Sequence, residues 1–265
     1  MAHGKCWRHH QLRIRLMKLN KTKLVKNITL ALGLLLPVSF TQALAHGDGH
    51  GELGNKAEAK AHLIAAQSTQ VEKAAPQLPE HDEKAKQALL AKLEKIKYFS
   101  ANFAQQVFDV DGNALQNGAG SLVVSKPNLV HWQTTEPDES LIVSDGQTLW
   151  FYDPFVEQAT AYGLENAIAN TPILLLTSQD KSMWQNYRIG QVNDSTFAVH
   201  ALDSNSQVKT LELNFDRDRL TGFVILDASG QLSRFSLSGS DFDTAPNKDM
   251  FKFTLPEGAY LDDQR

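Results

Sequence analysis

The segment of residues 125–161 constrains the fold more than any other part of the chain. Two apolar runs, residues 141–144 and 148–152, flank the dipeptide Asp145-Gly146, which is typical of a tight β-hairpin turn. Prolines interrupt the segment at positions that a continuous central strand would not tolerate, namely Pro127, Pro137 and Pro154. Its aromatic side chains are Trp132, Trp150, Phe151, Tyr152 and Phe155. The segment therefore predicts sheet that lines an apolar surface, either a filled core or an open cavity.

Residues 1–45 have the features of an export signal. They contain eight Lys or Arg residues and no Asp or Glu, and the basic part is followed by an apolar run at residues 28–38. The small-residue pattern Ala43-Leu44-Ala45 comes next, so we expect a secretory signal peptide that is cleaved after Ala45. Gly33 and Pro37 break the apolar run, which is also too short to favour a membrane span. Met17 stands just before the basic segment and is an alternative start to Met1.

Removal of the leader would leave a strongly acidic protein without cysteine. The remainder keeps 18 of the 26 Lys and Arg residues and all 30 Asp and Glu residues, a formal charge of −12. This balance argues against nucleic acid and anionic membrane surfaces as primary partners. The one cysteine, Cys6, lies in the leader, so we expect no disulfide, no thiol nucleophile and no lipid anchor at the cleavage site. The predicted location is the periplasm.

Residues 46–79 differ in composition from the rest of the chain, and we expect a disordered or partly helical extension there. The segment begins with a Gly- and His-rich run and ends in a Pro-containing run at residues 74–79. Histidines occur in and just after it, at His46, His50, His62 and His81. Their spacing matches no defined metal site, so no metal is predicted.

The remaining sequence, residues 80–265, predicts one α+β domain that is mainly antiparallel β. Asp82 is a candidate N-cap for an amphipathic helix whose apolar face holds Leu89, Leu90, Leu93 and Ile96 and whose lysines face solvent. A second, short apolar helix is expected from Thr171-Pro172 through Leu176. Short strands are predicted at residues 103–108, 118–124, 129–133, 141–144, 148–152, 158–161, 184–191, 196–201, 209–215, 220–226, 231–238 and 251–255, followed by a polar tail.

The sequence offers no catalytic constellation. The motifs of serine hydrolases, zinc proteases, P-loop proteins and dinucleotide-binding proteins are absent from it. Asp241 and Asp243 are neighbouring acids on a predicted loop, and His131 and His200 are single histidines on predicted strands. We therefore expect a binding protein, not an enzyme, and no cofactor.

A resemblance to the LolA family of periplasmic outer-membrane lipoprotein carriers is carried by residues 126–160. The matching residues are Lys126-Pro127-Asn128-Leu129, Trp132, Pro137-Asp138-Glu139-Ser140, residues 143–146, residues 148–152 and residues 154–160, and the match extends to Asn170-Thr171-Pro172. Looser similarity covers residues 89–265 but not residues 46–79. The resemblance implies an incomplete, half-open antiparallel β-barrel with a helical lid over an apolar cavity.

The same resemblance implies a function and partners. The protein would act as a monomeric chaperone that accepts triacylated lipoproteins from the inner-membrane ABC transporter LolCDE. It would shield their acyl chains and deliver them to the outer-membrane receptor LolB. Shielding is needed because an acyl chain of about 15 methylenes costs roughly 12 kcal/mol to expose to water.

The resemblance also implies site residues. Lys126 matches an arginine that holds the lid closed by hydrogen bonds to backbone carbonyls, and the matching carbonyls are those of Leu93, Leu176 and Thr177. Because an ammonium is a compact point donor and a guanidinium is a planar fork, we expect a weaker latch here. The residues expected to bind acyl chains are Leu89, Leu93, Leu122, Val124, Val130, Trp132, Ile142, Phe151 and Leu176. Half of the strand residues among them are expected to face away from the cavity, because alternate strand residues face opposite ways.

Two alternatives stay open at the level of sequence. One is a lipid-sensing or receptor domain of the same fold, such as LolB or a stress-response regulator of the RseB type. The receptor has a lipidated cysteine that the predicted mature chain lacks, and the regulator has a second domain that we do not expect here. The other alternative is a periplasmic lipid hydrolase, which would need a nucleophile and a base.

Overall fold

A computed structural model describes residues 82–168 and 172–265 of the chain. The predicted leader, the predicted extension at residues 46–79, its histidines and Asn170-Thr171 lie outside the described residues. The division into leader, extension and domain therefore stays a prediction.

The first helix, α1, spans Glu83–Lys95. It begins as predicted, because the Asp82 side chain accepts a hydrogen bond of 2.9 Å from the backbone N–H of Lys84. The helix ends before Ile96, and Tyr98 already belongs to the first strand. One face of α1 is buried through Ala85, Leu89 and Leu93. Further along the chain, the helices α2 and α3 span Leu164–Ile168 and Pro172–Thr177, and 3-10 helices span Lys181–Asn186 and Lys248–Phe251.

The described residues form one sheet of 12 strands. In chain order the strands β1 to β12 are Tyr98–Phe108, Ala114–Ser125, Leu129–Glu136, Ser140–Asp145, Thr148–Asp153, Gln158–Gly163, Tyr187–Asn193, Thr196–Ala201, Val208–Asp216, Arg219–Asp227, Leu232–Asp241 and Tyr260–Asp263.

The sheet is open and almost wholly antiparallel. Its order is β12-β6-β5-β4-β3-β2-β1-β11-β10-β9-β8-β7, so β12 and β7 form its two edges. The predicted hairpin is present: β4 and β5 pair on either side of Asp145-Gly146, and Gly146 has the positive φ of 92° that this turn requires. The predicted α+β class with an incomplete antiparallel barrel is therefore confirmed.

Two strand predictions were wrong. Trp184 lies in the 3-10 helix Lys181–Asn186, since Asp180 caps this turn by accepting a hydrogen bond from the Ser182 N–H, and the strand begins only at Tyr187. Residues 251–255 are not a strand either, because the 3-10 helix Lys248–Phe251 ends among them.

The last strand is instead formed by the polar tail. Residues Tyr260–Asp263 pair in parallel with β6, and the flanking hydrogen bonds run from Tyr260 N–H to the Glu157 carbonyl and from Gln264 N–H to the Ala161 carbonyl, both at 2.8 Å. A strand that pairs through its main chain at an open sheet edge needs no alternation of apolar side chains. The alternation of apolar residues in the sequence therefore did not indicate β12.

Among residues 82–168 and 172–265, no helix has the length and apolar character needed to cross a bilayer.

Candidate binding interior and its helical cover

One face of the sheet is apolar and lies beneath the helices; we call it the inner face. All six strand residues that the sequence analysis named are on it, and each is at most 3% exposed. The pairing register shows why: Leu122 lies opposite Trp132, Trp132 opposite Ile142, and Ile142 opposite Phe151. Val124 and Val130 form a further opposite pair on the same face. The expectation that half of them face away was wrong, because directly opposed residues share a face and so do residues two apart on one strand.

An aromatic cluster fills the centre of the inner face. The Trp132 ring centroid lies 4.9 Å from that of Phe103 and 5.2 Å from that of Phe235, and Phe223 stacks on Phe235 at 4.5 Å. The sequence analysis did not name these phenylalanines as site residues. Their alternation along predicted strands was a usable signal, but which strands would adjoin β3 in space was not visible from local pattern.

Gly120 provides the space for this cluster. A Cβ atom at Gly120 would lie 2.0 Å from the Gln133 carbonyl oxygen and 2.5 Å from Cζ of Phe103. The Phe103 ring therefore rests on the bare backbone of β2, where only glycine leaves room.

Helices α1 and α3, which we call the helical cover, close the inner face. Leu89 and Leu93 of α1 and residues 174–176 of α3 belong to the same buried cluster as the inner-face residues. The start of α1 is tied to the sheet by a hydrogen bond of 3.0 Å from Asp82 N–H to the Ile189 carbonyl of β7. The side chains of the helical cover and of the inner face thus pack against one another in this form.

Lys126 joins the helical cover to the turn between β2 and β3. Its Nζ donates a hydrogen bond of 2.5 Å to the Leu93 carbonyl, which also accepts the Ile96 N–H at 3.1 Å. The Thr177 carbonyl at the end of α3 accepts the backbone N–H of Asn128 at 3.3 Å. Of the three carbonyls that the sequence analysis proposed for Lys126, the ammonium thus contacts the one on Leu93, while the backbone of the same turn holds the one on Thr177.

The Lys126 side chain is half-buried, and both an acidic and a basic side chain lie near it. Burial lowers the pKa of Lys126, and the nearby Glu94 carboxylate partly opposes this effect. Glu94 in turn pairs with Lys181 at 2.7 Å, and this hydrogen bond lowers the Glu94 pKa. These groups surround a pocket of about 270 Å³ whose apolar walls include Leu90 and Trp184.

The lysine-rich face of α1 is less solvated than expected. Lys92 Nζ donates to the Arg217 carbonyl, and Lys95 Nζ lies 2.8 Å from an Asp218 carboxylate oxygen, both in the turn between β9 and β10. The prediction of a wholly solvated face was wrong at Lys92, which is partly buried, whereas Lys95 is exposed as predicted. The spacing of the lysines along α1 gave no sign of a partner more than 120 residues away.

Asp241 and His200, two of the residues that the sequence analysis set aside, take part in local structure. An Asp241 carboxylate oxygen accepts the backbone N–H of Asp243 at 2.8 Å, which closes a turn. His200 Nδ1 lies 3.1 Å from the Thr210 hydroxyl on the neighbouring strand.

An open antiparallel sheet whose apolar inner face is covered by helices is typical of a binding protein for an apolar ligand. The chain belongs to the LolA family: residues 94–254 match the family model described as outer membrane lipoprotein carrier protein LolA.

Two sequence relatives support the same assignment. The outer-membrane lipoprotein carrier protein of Yersinia enterocolitica serotype O:8 / biotype 1B is 42% identical over 178 residues, which is 67% of this chain and 87% of the relative. The protein of the same name from Klebsiella pneumoniae strain 342 is 43% identical over 178 residues, with the same coverage of 67% and 87%. Among solved structures, a LolA superfamily protein from Nitrosomonas europaea aligns with 63% of this chain and 97% of its own, at 17% identity and a TM-score of 0.40.

Proposed function

We propose that the protein is a periplasmic carrier of triacylated lipoproteins. It accepts them from an ABC transporter of the LolCDE type, shields their acyl chains between the inner face and the helical cover, and delivers them to an outer-membrane receptor of the LolB type. It acts as a monomer, without a cofactor, and catalyses no reaction.

The observation that carries this proposal is the continuous buried cluster shared by the helical cover and the inner face. An apolar surface of this kind can hold hydrocarbon when the cover is displaced, and it is hidden from water when no cargo is present. The helical cover allows both the cargo-bound and the empty state. In the empty protein its apolar side chains shield the inner face from water. Loading has to displace those side chains, so it requires an energy source such as the transporter's ATP hydrolysis.

The test is to incubate the purified protein with spheroplasts that display a labelled lipoprotein. The expected product is a soluble one-to-one complex that contains the lipoprotein with its acyl chains intact. Cleaved lipid in the supernatant would instead identify a hydrolase. Binding without release from the membrane would identify a receptor domain.

Lys126→Leu should shift the helical cover towards its open position. The change removes one charge-assisted hydrogen bond at a half-buried site, which contributes on the order of 1 kcal/mol after solvent screening. That corresponds to roughly a fivefold change in the ratio of closed to open forms. A synthetic triacylated lipopeptide should therefore bind the variant several times more tightly, and transfer to an acceptor should be slower. Equilibrium binding and transfer kinetics measure the two effects.

Lys126→Arg is the opposing variant, because a guanidinium can reach more than one carbonyl and should stabilise the closed form. Lys84→Leu is the matched control, since it removes an exposed lysine of α1. If Lys126→Leu leaves both uptake and transfer at the wild-type level, Lys126 is not a latch.

A further inference from the structure

A second pocket, of about 200 Å³, opens at the end of the sheet opposite Lys126. It lies beside the turns that join β3 to β4 and β5 to β6, and Phe151, Thr134 and Gln105 of the inner face form part of its wall. The inner face thus reaches the surface at this end, and its side chains change there from aromatic to polar.

Two buried hydrogen-bond donors without a partner among the described residues lie on β3, one in the wall of this pocket and one deeper on the inner face. Thr134 is 6% exposed, and within the described part of the chain its hydroxyl has no hydrogen-bond partner. Trp132, two residues deeper on the same face of β3, is 1% exposed, and its indole Nε1 also has none. A buried donor costs free energy when it is unpaired, and hydrocarbon offers it no acceptor. A ligand in the pocket that satisfies the Thr134 hydroxyl must carry an acceptor next to its apolar part.

The Gln105 side chain occupies part of the space beneath the pocket. A Cβ at Gly118 would lie 2.9 Å from the Glu136 carbonyl oxygen and 3.0 Å from Oε1 of Gln105, so a larger residue there would displace the Gln105 amide. Gln105 itself is 3% exposed. The pocket wall therefore holds a buried amide, a buried hydroxyl and the Phe151 ring.

The charge at the rim narrows the ligand class. Asp138, Glu139 and Asp153 line the pocket, and none of its described lining residues is Lys, Arg or His. Acidic side chains without a basic partner repel a phosphate group. An acyl ester that carries no phosphate meets no such penalty.

We infer that this pocket binds an ester carbonyl of the cargo's acylglyceryl group, with the Thr134 hydroxyl as the hydrogen-bond donor. The methylenes continue from there onto the inner face. The inference rests on the proposed function, because it assigns the polar end of the same ligand. It also makes the acidic rim a filter against phospholipids, which share the ester chemistry but carry a phosphate.

The test compares the binding of two ligands by the full-length wild type and by its Thr134→Val variant. The ligands are a triacylated lipopeptide with ester-linked chains and its analogue with ether-linked chains, which lacks the two ester carbonyls. The wild type should bind the ester form about three- to tenfold more tightly than the ether form, as expected for one hydrogen bond. Thr134→Val should bind both forms equally, whereas Thr134→Ser should behave as the wild type does.

Thr135→Val is the matched control. Thr135 is exposed on the opposite face of β3, and its hydroxyl donates to the Ala119 carbonyl at 3.2 Å. This variant should keep the preference for the ester. The inference is overturned if the wild type binds the ester and ether forms equally, or if Thr134→Val weakens both to the same extent. The wild-type comparison needs no variant, so it stands even if Thr134→Val does not fold.

A competition experiment with phosphatidylglycerol vesicles distinguishes lipoprotein esters from phospholipid esters as the ligand. They should not compete with the lipopeptide for the wild type, but they should compete once Asp138 and Glu139 are both replaced by Lys. Competition of equal strength before and after that change would overturn the filter. Failure of the wild type to bind any lipopeptide would instead reject the proposed function.

Discussion

Replacing Trp132 with alanine is expected to lower the free energy of unfolding by about 3–5 kcal/mol, the cost of removing a large buried aromatic side chain. Trp132 is 1% exposed and lies in ring contact with Phe103, Phe223 and Phe235 from β1, β10 and β11. Its removal therefore leaves a void shared by four strands, and no single neighbour can collapse into it. Urea denaturation should show a lower midpoint with little change in the m-value.

Trp150→Ala is the matched control for Trp132→Ala. Trp150 lies on the other face of the sheet, is only half-buried, and stacks on Phe253 at 5.1 Å. Its loss should cost less, about 1–2 kcal/mol, because solvent and the C-terminal segment can fill part of the space. Equal losses for the two variants would contradict the assignment of Trp132 to the central cluster.

Gly120→Ala is expected to destabilise the protein by about 3 kcal/mol or more, although it adds a single carbon atom. The new Cβ would lie 2.0 Å from the backbone oxygen of Gln133 on the paired strand, so β2 and β3 would have to separate. The same atom would meet the Phe103 ring at 2.5 Å and push it into the cluster. Overpacking a core side chain costs about 1–3 kcal/mol, and a backbone contact adds to that.

Gly258→Ala separates this crowding from the general effect of losing a glycine. Nothing lies within 4 Å of a Cβ at Gly258, so only its positive φ of 85° opposes the change, at about 1 kcal/mol. Thermal unfolding of the two variants should show a much larger shift for Gly120→Ala. A shift no larger than that of Gly258→Ala would mean that the two strands are not packed as closely as described.

Local sequence pattern predicted much of the fold, for reasons that the structure makes plain. The Asp82 cap, the apolar face of α1 and the Asp145-Gly146 hairpin each depend on residues within a few positions of one another. Features that depend on distant contacts were missed. The tail strand β12 exists because β6 leaves an open edge, and the lysines of α1 meet a turn more than 120 residues away.

The candidate site was predicted unevenly. The six strand residues named as acyl-binding share one buried face, which only the register could show, and their role in binding stays a prediction. Lys126 on its own is a turn lysine before a proline; its pairing with the Leu93 carbonyl was implied by family resemblance and not by spacing. Phe103, Phe223 and Phe235 were not named, because the closeness of β1, β10 and β11 is a property of the assembled sheet.

The central claim, that acyl chains lie along the inner face, can be tested with a lipopeptide whose acyl chains carry bromine, which quenches tryptophan fluorescence on contact. The chain has four tryptophans, so two single-tryptophan proteins are needed, one that retains Trp132 and one that retains Trp150. Each is compared with the unbrominated lipopeptide under conditions where a soluble complex forms. We predict that bromine quenches the emission of Trp132 and leaves that of Trp150 unchanged. Unquenched Trp132 in a formed complex, or equal quenching of the two, would contradict the account.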